Sequence, residues 1–201
     1  MERLLILFCL LFSNCPKTEN APLNIQTLNT EKILIVYLSR TNNTKAVAKI
    51  IQQKIGGKLV ALKKQNPYPE NYQEIVTQVV EENKKGFLPP LKTKTENIED
   101  YDVVFVGFPT WDMQMPPPIK TFLSENDFSG KIIIPFNTNA GYGVGNGFEQ
   151  LKQLCQNSTI LKGFTVEGGY EKKGVFLAIK EDREEKVEQQ VYKWLRDIEI
   201  L

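Results

Sequence analysis

Three short stretches concentrate the residues able to hold a small polar ligand. The first is "SRTNNT", Ser39–Thr44. Ser39, Thr41 and Thr44 bring hydroxyls, and Asn42 and Asn43 bring amides. The stretch lies between an apolar run and a helix-like segment. Its backbone N–H groups therefore run into a helix N-terminus, where negative charge is favoured. A phosphate monoester suits such a nest. The same residue types also serve as plain helix caps. No Gly-Lys-Ser/Thr P-loop and no Gly-rich dinucleotide turn is present here.

The second stretch is "PTWDMQMPPP", with Pro109, Thr110, Trp111, Asp112 and Met113 at its start. The third is "NTNAGYGVGNG", in which Thr138, Asn139, Ala140, Gly141 and Gly143 surround Tyr142. Glycine lets backbone approach a ligand closely, and it equally serves a flexible loop. Trp111 likewise suits a core position beneath a loop. Taken together, an anion nest and two loops that each carry an aromatic are what a phosphorylated flat ring requires.

Other chemistries are removed by composition. The 201 residues contain no histidine, which excludes Ser-His-Asp and Cys-His catalysis, His metal ligation and a His pH switch. Cys9, Cys15 and Cys155 are too few and too scattered for a disulfide framework or a Cys-rich zinc site. Cys155 reads as a small buried apolar residue. With 41% hydrophobic and 24% charged residues and a net charge of +1, the chain has the make-up of a soluble globular protein. Nothing in the charge calls for nucleic acid or an anionic membrane as partner.

The three stretches need elements to position them. "ILIVYL" (33–38) is a continuous apolar run, as in a strand buried on both faces of a parallel sheet. Val47, Ile50, Ile51 and Ile55 then recur at helical spacing until Gly56 and Gly57 end the helix. "KLVALKK" is a second strand, and Tyr72, Ile75, Val76, Val79 and Val80 share one face of a second helix. "YDVVFVGFP", "KIIIPFNT" and "STILKGFTVEG" supply three more strands. Between them lie a helix opened by prolines and one carrying Phe148, Leu151, Leu154 and Cys155. The last helix, about 181–198, carries Val187, Val191, Trp194, Leu195 and Ile198 on one stripe. Five strands alternating with five helices predict a doubly wound α/β sandwich with helices on both faces. The three stretches then follow strands one, three and four, at the carboxyl edge where such sheets bind ligands. "GGYEKKGVFLAI" (168–179) is surplus to the alternation and reads as a hairpin or an extra edge strand.

"YLSRTNNT", "GFPTWD" and "PFNTNAG" resemble the "YFSRTGNT", "GFPIWW" and "PFCTHGG" of a branch of the flavodoxin-like family, and "YPENYQEIV" and "FSGKIIIPF" fit as well. The resemblance covers roughly residues 32–200. It implies a five-stranded parallel sheet and noncovalently bound FMN. Ser39, Arg40, Thr41, Asn42, Asn43 and Thr44 would form the phosphate loop. Residues 110–113 and 138–143 would flank the isoalloxazine ring, with Trp111 and Tyr142 as aromatic contacts by position. Three departures stand out. Asn42 replaces glycine, and asparagine tolerates the left-handed region. Asp112 replaces an aromatic, where a carboxylate would disfavour an anionic reduced flavin. "TNAG" replaces "THGG". The resemblance implies an electron carrier working with a redox partner protein or a small quinone-like acceptor, a role that needs no catalytic acid. An FMN-dependent NAD(P)H:quinone or small-substrate oxidoreductase is the alternative, and a cofactor-free binding or scaffold protein on the same fold is another.

The N-terminus reads as an address. "MERLLILFCLLFSNC" has Arg3 followed by an apolar run, Leu4–Phe12, far short of the about 20 residues that span a bilayer as a helix. Cys15 sits where a signal peptide is cut, and the segment resembles a bacterial lipobox in which that cysteine is lipidated. Phe12 and Asn14 depart from the usual residues. The expectation is a leader over 1–15, a polar tether over 16–31 and one domain over 32–201. The processed protein would be exported, with a lipid on Cys15 as its only link to a membrane.

Overall fold

The computed structural model describes residues 29–95 and 97–201. The predicted leader and most of the tether lie outside the described residues. Asn29 caps a short 3-10 turn, Thr30–Lys32, so residues 29–31 belong to the fold and not to the tether.

Six strands and five helices follow: β1 (Ile33–Tyr37), α1 (Asn43–Ile55), β2 (Lys58–Ala61), α2 (Tyr72–Lys84), β3 (Val103–Pro109), α3 (Pro117–Glu125), β4 (Ile132–Asn139), α4 (Gly147–Leu154), β5 (Thr159–Ile160), β6 (Phe164–Glu167) and α5 (Asp182–Asp197). All pairings between strands are parallel, in the order β2-β1-β3-β4-β5, with β6 also on β4. This is the doubly wound sheet that the alternation predicts, in the flavodoxin-like order that the resemblance implies. Every residue of β1 is buried, which accounts for its unbroken apolar run. Ile33, Ile35 and Tyr37 face a core built with α1 and α5; Leu34 and Val36 face one built with α3 and α4.

The fifth position of the sheet is split where the sequence reads a single strand. Leu161 N–H still donates to the Ile133 carbonyl at 3.0 Å, but the next residue facing that way in β4 is Pro135, which has no N–H to give. The ladder lapses at residues 161–163 and resumes at Phe136↔Phe164. The Trp194 indole donates to the Lys162 carbonyl exposed by the lapse, at 2.9 Å. Residues 168–179 form no edge strand. An antiparallel bridge, Tyr170↔Val175, closes a 3-10 turn over Glu171–Lys173, which makes the segment a short hairpin-like loop.

Cys155 ends α4 and is buried, 3% exposed, as its isolation in the sequence suggests. Burial pushes its thiol up to about 11. In a variant lacking Cys9 and Cys15, Cys155 is expected to react with a disulfide reagent at pH 8 about 100-fold more slowly than an unperturbed thiol, because so little thiolate is present. Stopped-flow absorbance before and after denaturation checks this.

Candidate functional site

The chain order reverses between β1 and β3, and the carboxyl ends of β1, β3 and β4 open into a cavity of about 370 Å³. Its floor includes the turn between β1 and α1. Asn42, the residue before the helix, takes φ 66, ψ 0, the left-handed conformation that asparagine accepts where a larger side chain would be strained. Among the described residues, the N–H groups of Arg40, Thr41, Asn42, Asn43 and Thr44 have no acceptor in the protein. Lys45, next in line, donates to Ser39 Oγ at 3.3 Å. Unpaired N–H groups on residues as buried as Asn43 and Thr44 are costly unless something accepts them. A tetrahedral oxyanion at a helix N-terminus would do so.

The side chains of this turn are mostly occupied. Thr44 Oγ1 lies 2.9 Å from Thr138 Oγ1, tying α1 to the end of β4. The Asn43 amide donates to Thr41 Oγ1 and to the Phe176 carbonyl, and its oxygen accepts from the N–H groups of Ala178 and Ile179. The Asn43 amide thus fastens residues 176–179 to the helix, and its backbone N–H is left without an acceptor. The Arg40 side chain is occupied too. Its guanidinium grips the Glu171 carboxylate through Nε and Nη2 at 2.8–3.0 Å and donates to the carbonyls of Pro69 and Glu70.

The loop after β3 is a tight two-residue turn. Trp111 and Gln114 exchange both backbone hydrogen bonds, at 3.2 and 3.0 Å, across Asp112 (φ 52) and Met113 (φ 54). Positive φ at two non-glycine residues is strained and needs support. Asp112 Oδ2 accepts from Asn83 at 3.0 Å and Gln114 at 3.1 Å; Lys120 Nζ donates to Asn83 Oδ1 at 2.9 Å and Gln114 Oε1 at 2.7 Å. Burial lowers the Lys120 ammonium from its ordinary value, and the charge on Asp112 opposes that. From the other side, Asn146 N–H donates to the Met113 carbonyl at 2.9 Å. Gly145 allows that approach, since a Cβ there would stand 2.0 Å from the Met113 oxygen. Trp111 meets the Tyr68 ring edge-on at 5.4 Å. Tyr68 is itself held by its hydroxyl on Glu82 and by Lys64 3.4 Å above its face.

Asn139 organises the loop after β4. Its side-chain oxygen accepts from the N–H groups of Gly141 (2.9 Å) and Gly143 (3.1 Å), and Thr110 Oγ1 donates to the Gly143 carbonyl at 2.8 Å. Tyr142 is left standing, 62% exposed.

The far wall comes from a segment that sequence reasoning left without a role. Gly168, Gly169, Tyr170, Glu171 and Lys172 line the cavity, as does Tyr72 of α2. Gly168 packs so close to α1 that a Cβ would stand 2.9 Å from that of Asn43. Tyr170 meets Tyr142 edge-on with their hydroxyls 2.8 Å apart, and that hydrogen bond raises the Tyr142 hydroxyl above its ordinary value. The available signal was the Gly-Gly-Tyr directly after the last strand, at the same sheet edge as the three recognised loops.

The cavity brings together Arg40, Thr41, Asn43, Thr44, Pro109, Thr110, Trp111, Asp112, Met113, Thr138, Asn139, Ala140 and Tyr142. Ser39, Asn42, Gly141 and Gly143 do not line it; they shape the turns that do.

Residues 32–180 match the sequence model of the flavodoxin family. The chain belongs to that family. No curated protein matches it. A candidate flavoprotein from Bacteroides eggerthii is 29% identical, with 85% of this chain and 99% of the other covered and a TM-score of 0.68. A second, from Bacteroides uniformis, is 25% identical over 82% of this chain and 99% of its own, at 0.66. The fold recurs at 20% identity in a Lactobacillus acidophilus flavoprotein in complex with FMN, over 67% of this chain and 92% of the other, at 0.58.

Proposed function

We propose that this flavodoxin-family chain binds FMN noncovalently in the cleft and carries electrons between a donor and a redox partner protein or small quinone-like acceptor. The observation that carries the reading is the row of acceptor-free N–H groups from Arg40 to Thr44 at the N-terminus of α1. The FMN named for the Lactobacillus acidophilus neighbour is in keeping with it. Bound FMN would supply a ring that exchanges one or two electrons.

This chain's residues supply the rest. The five N–H groups and the α1 dipole would hold the phosphate, with no free side-chain cation needed, since Arg40 is neutralised by Glu171. Trp111, Tyr142 and Tyr170 would border the ring and keep water from it. Thr138, fixed on Thr44, would set the distance between phosphate and ring. The carboxylate of Asp112 is already engaged by Asn83 and Gln114. Its effect on the ring would therefore be that of a fixed, partly compensated charge.

The test is the visible absorption spectrum of the purified chain before and after adding FMN, with flavin fluorescence and melting temperature followed in parallel. Saturable quenching and a raised melting point support the reading; neither effect on folded protein ends it. Trp111→Ala is expected to weaken FMN about tenfold and to shift the flavin bands, since an aromatic contact contributes about 1 kcal/mol beyond its area. An unchanged spectrum would put the tryptophan away from the ring. The lipobox-like Cys15 supports export and membrane attachment outside the cytoplasm. Cys15→Ser is expected to abolish lipid labelling and release the protein from membranes.

A further inference from the structure

The loop that leaves α2 turns apolar residues outward. Phe87 and Leu88 are 50% and 43% exposed, although the chain on both sides of them is pinned. Gly86, at φ 59, donates its N–H to the Asn83 carbonyl at 3.1 Å and ends the helix. The Phe87 N–H donates to the Glu82 carbonyl at 2.8 Å, and Thr121 Oγ1 donates to the Pro89 carbonyl at 3.0 Å. Leu91 packs against a core and pairs with Lys64. Pro89 and Pro90 stiffen the backbone between these fastenings. The apolar pair is thus presented to the outside by a fixed frame.

Lysines surround it. Lys84 and Lys85 precede the pair, Lys92 and Lys94 follow it, and the Lys92 N–H donates to the carbonyl of Lys63 at 2.8 Å. All five lysines are exposed. Between residues 81 and 95 the one exposed carboxylate is Glu81, shared by Lys84 and Lys85 at 3.4 and 3.6 Å; Glu82 is buried on Lys64. The net charge of +1 for the whole chain conceals this local excess. The other run of exposed apolar residues, 175–177, has a different setting. It is followed directly by the carboxylates of Glu181, Asp182, Glu184 and Glu185.

An apolar tip ringed by lysines suits an anionic lipid surface. The apolar side chains enter the headgroup boundary, and the lysine stems lie along it with their ammonium groups among the phosphates. An acidic protein would match the lysines as well. The choice of lipid rests on the Cys15 reading. With that cysteine lipidated, the 13 residues 16–28 reach at most about 45 Å, so the domain stays beside a bilayer and a weak contact gains from the high local concentration.

We propose that the loop 84–94, with Phe87 and Leu88 at its tip, docks the domain on an anionic bilayer. Asn83, just before the loop, donates to Asp112 of the Trp111 turn at 3.0 Å. Docking therefore brings that rim of the cleft to the lipid, within reach of a lipid-soluble quinone-like acceptor. This last consequence alone rests on the FMN reading.

The experiment is tryptophan fluorescence of the full chain carrying Phe87→Trp, without FMN, on vesicles of phosphatidylglycerol and acyl-brominated phosphatidylcholine. Relative to the original chain, the added emission should shift to the blue and lose about half its intensity, since an interfacial ring lies about 5–10 Å deep, within reach of the bromines. Leu88→Trp serves if the first variant does not fold. Vesicles without phosphatidylglycerol should quench less, as should salt at about 1 M, where the Debye length is about 3 Å. Adding Lys92→Glu and Lys94→Glu should remove most of the quenching. Phe176→Trp, on the other exposed apolar run, should stay unquenched. The proposal is overturned if residue 87 is not quenched on anionic vesicles, whether or not the chain sediments with them; the lysines would then belong to an acidic protein partner. It is equally overturned if Phe176→Trp is quenched as strongly, or if the two glutamates change nothing. Sedimentation reads the N-terminal anchor and a separate FMN titration reads the cofactor, so failure of either stands apart from failure of the loop.

Discussion

Thr41→Pro is expected to lower FMN affinity by about 100-fold, while Thr41→Ala lowers it less than about fivefold. The contrast follows from what each change removes. Proline deletes one of the five acceptor-free N–H groups between Arg40 and Thr44. A hydrogen bond to a charged group contributes about 1.5–3 kcal/mol, which alone is about 10- to 100-fold. Proline also restricts Arg40 before it to extended backbone, so the neighbouring donors are re-aimed. Alanine keeps the N–H and loses only a hydroxyl whose oxygen already accepts from Asn43 at 2.9 Å. Riboflavin, which has no phosphate, should be almost indifferent to both changes. Fluorescence titration with the two flavins therefore reads the phosphate contribution as their ratio. If Thr41→Pro leaves FMN at its original affinity, the phosphate is held elsewhere.

What could be seen beforehand, and what could not, divides along physical lines. The unbroken apolar run of β1 and the helical spacing in α1 and α5 are periodic signals, and periodicity is set by local geometry. From them came the layers and the edge on which the loops gather, while the flavodoxin-like sheet was implied by the motif resemblance. Asn42 was legible too, because few residue types accept φ 66. Partner choice was not. Arg40 and Glu171 are 131 residues apart, and nothing local tells that they meet. For the same reason Asn43 looked like one more donor in a polar loop, when its amide is spent on residues 176–179. The split between β5 and β6 depends on a proline in the neighbouring strand, so it appears only once the register Val106↔Pro135 is known. The stripe of α2 shows a limit of another kind. Its pattern foretold an apolar face, and the structure buries Ile75 and Val79 of it while Val76 and Val80 stay partly exposed beside the Trp111 turn.

Asn43 allows the structural and the electrostatic parts of the site to be separated. It is 4% exposed, and its amide joins three backbone groups of another segment: the Phe176 carbonyl at 2.6 Å and the N–H groups of Ala178 and Ile179 at 2.9 and 3.1 Å. Asn43→Ala leaves all three without partners. Ile179 is buried whereas Phe176 is 57% exposed, so water can replace part of what is lost; at about 1–3 kcal/mol for a buried group left unsatisfied, a loss of about 2 kcal/mol is expected, or about 6 °C in melting temperature for a domain of this size. Asn43→Asp retains an acceptor for Ala178 and Ile179 and forfeits only the donation to Phe176 and Thr41. It should cost less than half as much stability as alanine. What aspartate adds is a negative charge on the first residue of α1, beside the acceptor-free N–H groups. FMN affinity should therefore fall about 10- to 100-fold in the aspartate variant, with riboflavin little changed. A phosphate monoester takes its second negative charge near pH 6, so the penalty should deepen between pH 5 and 8. A flat profile, or an aspartate variant that binds FMN like the original, would remove the anion from the start of α1. Equal melting temperatures for the alanine variant and the original would show that the tie between α1 and residues 176–179 carries no stability.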